Sequence, residues 1–354
     1  MANRIKEKYM AGKRYFDYPM LFLVIFLICF GLVMIYSTSS YKSTVTYGNS
    51  YHWLLRQAVA IVLGAVAMVV CCKLDYHIMK SEKFGNGCYW ASIVLLVLVL
   101  IIGAAKKGAV RWISIAGFQF QPSEVSKILV VIYLANRLSA NAHKIRTFKD
   151  SIVIVLPTVP IIALIVTQNL STALVVCSMI GVMLFVVSPK MKELMLTAGG
   201  GIILLFVYLL TANSYRNERV QIWLHPESHK KGFQTMQALY AIGSGGIFGK
   251  GLGQSMQKMG FIPESHNDMI FSIICEELGF VGATILMLVF LVLIWRFMVI
   301  AVHAPDLFGS LIAAGAMGHI AIQVILNVAV VTNTIPNTGI TLPFISYGGT
   351  SVLF

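Results

Sequence analysis

The chain has 354 residues, 58% of them hydrophobic and only 12% charged, with a mean hydropathy of +0.81. Soluble globular chains carry about 25% charged residues, so a soluble enzyme or binding module is excluded and a polytopic membrane protein is expected. The net charge of +13 suits basic loops that set orientation and meet anionic lipid, and no nucleic-acid partner is expected.

A basic segment, residues 1–18, carries Arg4, Lys6, Lys8, Lys13 and Arg14 ahead of the apolar run Leu21–Met34. No small-residue cleavage site follows that run, so it reads as a retained first span. Runs long enough to cross a bilayer, about 17–25 residues each, lie near 19–37, 53–72, 88–104, 123–138, 151–167, 171–188, 194–212, 268–300 and 309–332. A tenth begins near 346, and the sequence reaches Phe354 before that run could cross. The expected fold is all-α, a single membrane domain of about ten helices. Its one large loop, 213–267, lies between helices seven and eight. Lys and Arg concentrate in 1–18, 73–87, 137–150 and 189–193, which favours a cytoplasmic N-terminus and puts the large loop outside. The segment 105–122, with Lys106, Lys107 and Arg111, is an exception. The six cysteines sit in or beside apolar runs with no metal-spaced pair, as small core residues do.

Chemistry-bearing residues appear from the third span onward. Arg111-Trp112 precedes Phe118-Gln-Phe-Gln121-Pro122-Ser-Glu124, and Pro122 suits the first turn of span four. Glu124 and Lys127 share a helical face at i, i+3 and can pair. In the large loop, Gly249, Gly251 and Gly253 resemble a phosphate loop, but no strand precedes them and no Gly-Lys-Ser/Thr follows. A loop hugging the membrane is the better reading. Three of the chain's 14 acidic residues, Asp268, Glu276 and Glu277, then fall in one apolar segment, where a carboxylate costs roughly 2.5–3.5 kcal/mol. On one continuous helix Asp268 and Glu276 would stand about 12 Å apart along the axis and roughly 80° apart around it, with Glu277 on the far face from Asp268. That is no close pair of the retaining-glycosidase kind, about 5 Å apart. Asp268 therefore acts alone, and Glu276 and Glu277 are expected to be structural intramembrane residues. His266 lies beside Asp268, but the eight histidines show no ligand spacing, so no protein metal site is expected. Finally, Asn333–Ser351 is broken by two prolines and several glycines, which suits a cavity wall.

Four blocks resemble the SEDS family of bacterial cell-wall proteins (FtsW, RodA, SpoVE). They are Arg111-Trp-Ile with Phe120-Gln-Pro-Ser-Glu124-Val-Ser-Lys127; Ala241–Gly253; Pro263-Glu-Ser-His-Asn-Asp268 with Glu276-Glu-Leu-Gly279; and Pro336–Gly349. They run in the family's order from span three to the end. Gln257-Lys258 and the Ile-Ser-Tyr-Gly-Gly ending are more similar to the FtsW and SpoVE branches than to RodA. Asn267 and Met269 depart from the Thr and Phe common beside the family's Asp. Thr167–Ala173 stands where a Pro-Asp-Leu-Gly pattern is common.

The resemblance implies a peptidoglycan glycosyltransferase that polymerises lipid II during cell division. It also implies ten membrane helices and an essential Asp at Asp268. The implied location is the bacterial plasma membrane at the septum. Implied partners are a class B penicillin-binding protein (a single-pass transpeptidase), other divisome proteins and membrane lipids. Polyprenyl pyrophosphate is already a good leaving group. An inverting transfer then needs one general base, assigned to Asp268, and positive charge for the pyrophosphate. Arg56, Arg111, Lys127, Arg216 and Lys258 are the candidate counter-charges, and Glu124 would orient Lys127 or Arg111. Trp112, Gln121, His266 and Ser346 complete the substrate-binding set. No cofactor is required, though a divalent cation (Mg or Mn) could share the charge. The competing readings are a lipid II flippase and a non-catalytic scaffold for a transpeptidase.

Overall fold

The computed structural model describes residues 16–106, 109–115, 118–145, 147–188, 214–229 and 232–349. Of these, 104–106, 109–111, 114–115, 118–119, 148 and 214–218 are described for backbone alone. Eleven α-helices are assigned among them: α1 Tyr18–Tyr47, α2 His52–Lys73, α3 Glu82–Ile102, α4 Pro122–Asn141, α5 Phe148–Val155, α6 Val159–Gln168, α7 Leu170–Val187, α8 Ser214–Leu224, α9 Phe233–Ser244, α10 Ile270–His303 and α11 Leu307–Val331. Seven helical stretches among the described residues are long and apolar enough to cross a membrane. The chain is a multi-pass, predominantly helical membrane protein. The expected seventh span, 194–212, and the body of the tenth lie outside the described residues.

Several elements depart from uniform rods for identifiable reasons. Asp17 caps α1, accepting from Met20 N–H at 2.9 Å, and Gly48 closes it in the left-handed region at φ 68°. At 30 residues this helix is about 45 Å long, well beyond a hydrocarbon core of about 30 Å. In its polar end Ser37, Thr38, Ser39 and Ser43 are buried. The expected fifth span is not one helix: Pro157 and Pro160 interrupt it through a 3-10 turn, Leu156–Thr158, because proline lacks the N–H that the ladder needs. Segment 105–122 adds a small antiparallel meander to the all-α fold. Its strands are β1 Ala104–Lys106, β2 Ala109–Ile115 and β3 Phe118–Phe120, with Ala104 opposite Trp112 and Ile113 opposite Phe120. The large loop is not featureless either, since it contains α8 and α9.

The expected continuous span 268–300 is corrected most. Asp268 precedes the helix, and Gly279, at φ 68° and ψ −170°, breaks α10 near its start. The break is stapled to the glycine-rich loop. Lys250 and Gly251 N–H donate to the Glu276 and Glu277 carbonyls at 2.9 Å each, and Phe280 and Val281 N–H donate to Gly246 and Ile247 O at 2.9 and 3.0 Å. Backbone at this depth must find partners within the protein, and these four bonds supply them. A Cβ on Gly279 would collide with Gly249 N and Ile247 O, so the two backbones approach only because both positions are glycine.

Two apolar cores form. One gathers residues of α1, α9, α10 and α11, the other residues of α3, α4, α6, α7 and α11. Helix α11 therefore runs between both. α4 is nearly surrounded, so it tolerates Ser123, Ser126, Lys127 and Asn136, all buried, where a lipid-facing helix would not.

Candidate functional site

Three consecutive backbone carbonyls hold the loop that ends at Asp268. His266 O accepts from Tyr347 N–H at 2.8 Å. Asn267 O accepts from the Ser346 hydroxyl at 2.7 Å. Asp268 O accepts from Asn327 Nδ2 on α11 at 2.8 Å. From the other side, Ser265 Oγ donates to Thr38 O of α1 at 3.3 Å. The half-buried Asp268 side chain faces the segment after α11. A Cβ on Gly339 would stand 3.6 Å from its Oδ2.

That segment, 333–349, wraps the site as a strap. Its prolines and its left-handed Asn333, Gly339 and Phe344 keep it from becoming helix, so its carbonyls look elsewhere for donors. Trp223 Nε1 donates to Asn333 O at 2.9 Å, Ser171 Oγ to Thr338 O at 3.3 Å, and Gln323 Nε2 to Thr341 O at 3.1 Å. Asn327 Nδ2 donates to Ile340 O at 2.7 Å as well. Ser346, named from sequence as a substrate contact, is occupied structurally: its hydroxyl also accepts from Leu342 N–H at 2.8 Å. Gln57 of α2 is fully buried against the strap's end and accepts from Gly348 N–H at 3.2 Å.

An aromatic cluster adjoins Asp268. His266, 3% exposed, stacks on Trp53 with centroids 5.1 Å apart and meets Tyr347 edge-on at 5.5 Å. Tyr47 stacks on His52 at 3.9 Å. Arg56 is exposed and hydrogen-bonds Tyr347. Burial, then the charge of Lys42, push the His266 imidazole down to about 4, against an upward pull from Glu264. The ring is therefore neutral near pH 7.

The Glu124–Lys127 pair forms at 2.9 Å, with side chains 12% and 3% exposed. Lys127 Nζ also meets His319 Nε2 at 2.9 Å, a partner that sequence reading missed. Gln121 turns back locally, donating to Ser123 Oγ at 3.0 Å. Trp112 sits half-buried in β2. The side chains of Arg111 and Arg216 lie outside those described.

Glu276 and Glu277 face a separate polar cluster. Lys250 Nζ lies 2.7 Å from Glu276 Oε1, and the Ser255 hydroxyl donates to Glu276 Oε2. Lys258 Nζ lies 2.8 Å from Glu277 Oε1 with its side chain 5% exposed, and Ser37 Oγ donates to both Glu277 oxygens at 2.7 and 2.8 Å. Lys258, expected from sequence as a counter-charge, is placed here as the buried partner of Glu277. The fold brings together Asp268, His266, Arg56 and Ser346. It sets Lys127 with Glu124 on α4, against His319 of α11, and places Lys258 beside Glu277.

The family of cell cycle proteins that groups FtsW, RodA and SpoVE matches residues 18–354. Stage V sporulation protein E of Bacillus subtilis is 39% identical over 346 residues, covering 95% of this chain and 93% of the relative. A probable peptidoglycan glycosyltransferase FtsW of Geobacter metallireducens is 36% identical over 348 residues, covering 96% and 91%. Among solved structures, a chain from work on structural coordination of polymerization and crosslinking by a peptidoglycan synthase complex aligns with TM-score 0.81 at 29% identity, over 96% of this chain and 94% of that one. The crystal structure of the Thermus thermophilus rod shape determining protein RodA aligns with TM-score 0.71 at 28% identity, over 96% and 93%.

Proposed function

The chain belongs to the FtsW, RodA and SpoVE family of cell cycle proteins, and we propose that it is a peptidoglycan glycosyltransferase polymerising lipid II, with Asp268 as general base. The observation that carries this reading is the convergence on Asp268. The loop bearing it is tied by three successive carbonyls, while its carboxylate stays half-buried beside the strap. A base must be held still and remain reachable, and this arrangement meets both needs.

In the proposed reaction the acceptor sugar's hydroxyl oxygen attacks the anomeric carbon of the lipid-linked donor. The new C–O bond forms as the bond to pyrophosphate breaks, with inversion at that carbon. The hydroxyl proton passes to Asp268, and the electron pair leaves with the lipid pyrophosphate. Arg56 is an exposed cation that hydrogen-bonds Tyr347, whose N–H holds this loop at His266 O, and we assign it the first share of the pyrophosphate's charge. Lys127, Arg111 and Arg216 remain the further candidates, and His266 offers the substrate a neutral ring. Trp112, Gln121 and Glu124 belong to the same proposed substrate-binding set. Among the described residues no three His, Cys, Asp or Glu side chains form a group that could hold a metal ion. A divalent cation sharing that charge would enter with the pyrophosphate, as Mg does at phosphate sites.

Relatives named for division and sporulation support a septal role, with the N-terminus cytoplasmic and the Asp268 end of the bundle outside. The likeness to a synthase complex that polymerises and crosslinks supports a class B transpeptidase as partner. The test is glycan synthesis from purified lipid II by the reconstituted chain, with and without that partner and with and without EDTA. Asp268→Ala is expected to abolish polymer while leaving the melting profile intact, and normal glycan from that variant would overturn the base assignment. Lipid movement across liposomes without polymer would favour the flippase reading instead.

A further inference from the structure

Helix α11 carries three polar side chains at four-residue spacing, His319, Gln323 and Asn327, so they rise along one face with a slow drift. Each holds a different piece of chain. His319 meets Lys127 of α4 at 2.9 Å and hydrogen-bonds Gln323. Gln323 donates to Thr341 O of the strap at 3.1 Å. Asn327 donates at once to Asp268 O at 2.8 Å and Ile340 O at 2.7 Å. From His319 to Asn327 the ladder spans about 12 Å of helix axis.

We propose that Asn327 is the positioning residue of Asp268, the top rung of a polar ladder that fixes the Asp268 loop and the strap against one helix face. The proposal rests on the reading of Asp268 as the base. Asn327 is fully buried in a helix that runs between two apolar cores. Its Oδ1 has no hydrogen-bond partner among the described residues. A buried amide with an idle oxygen is unfavourable by itself, so its place depends on the two N–H bonds it makes. Those bonds tie residue 268 to residue 340, the neighbour of Gly339 beside the carboxylate, and one ends on the backbone of Asp268 itself. A shift of about 1 Å in a catalytic group can cost on the order of a hundredfold in rate. The donor that anchors that backbone is therefore felt in turnover more than in substrate binding.

The test compares Asn327→Asp, which keeps the shape and removes the donors, in the wild-type chain and in Asp268→Glu, where the carboxylate is already displaced. The readout is lipid II polymerisation by the full reconstituted chain together with its melting midpoint. The expected result is a kcat loss of at least about tenfold in the wild-type background with KM within about twofold, and a much smaller loss in Asp268→Glu, because groups acting through one another are not additive. An equal loss in both backgrounds, or none in the wild type, would overturn the proposal. If Asn327→Asp does not fold, Asn327→Ser is read in the same way. Failure of the underlying reading shows separately, as retained polymerisation in Asp268→Ala.

Discussion

His266 is packed between Trp53 and Tyr347, and burial keeps its imidazole neutral down to about pH 4. An unfolded chain would take up that proton from pH 6.5 downward, so between these limits the unfolded state binds more protons. Stability is then whole above pH 6.5 and falls as pH drops toward 4. The full effect is on the order of 3 kcal/mol. Melting curves across that range should show a steeper decline for the wild type than for His266→Gln, and parallel curves would refute the link. At this scale the sequence was informative where a residue's neighbours in the chain announce its role. Asp268, His266 and Ser346 stand in recognisable motifs, and the fold brings them together. Asn327 and His319 were equally visible as polar breaks in an apolar run. Their partners, 59 and 192 residues away, are not encoded by any local spacing.

The clamp beneath the glycine loop behaves as a unit of elements. Lys258 joins the loop after Gly253 to the first half of α10 through Glu277, both almost wholly buried. Removing one partner of such a pair leaves an uncompensated charge, at a cost of about 3–5 kcal/mol, whereas replacing both with apolar groups is often neutral. Lys258→Met should therefore lower the melting midpoint sharply, and adding Glu277→Leu should recover most of the loss. Equal midpoints for the single and double variants would contradict the clamp. Helical periodicity placed Glu276 and Glu277 away from Asp268, but it assumed one unbroken helix. The break at Gly279 was signalled only by a glycine, and what decides it, the approach of Gly249, is a tertiary contact.

At the scale of the whole molecule, hydropathy located seven stretches able to span among the described residues, because lipid demands long apolar runs, and it missed where prolines or protein contacts reshape them. The fifth span is split by its prolines, and α1 continues past its apolar stretch because its polar end is buried against the Asp268 loop. The proposed orientation predicts a labelling pattern. Asn49 and Lys144, both exposed, lie at opposite ends of the bundle. In intact cells a membrane-impermeant thiol reagent should label Asn49→Cys and not Lys144→Cys, in a background without native cysteines. The reverse pattern would invert the topology and put Asp268 on the wrong side for extracellular polymer.

The stapled break in α10 also bears on how the protein is made. Residues 245–251 leave the ribosome before 276–281, yet neither set has its backbone partners until the other arrives. An unpaired peptide group in hydrocarbon costs several kcal/mol. The first half of α10 therefore cannot settle in the bilayer as an independent span, and its insertion waits on the loop. Biogenesis of this helix is a docking event, in which the glycine-rich loop must turn back and meet the membrane segment that follows it.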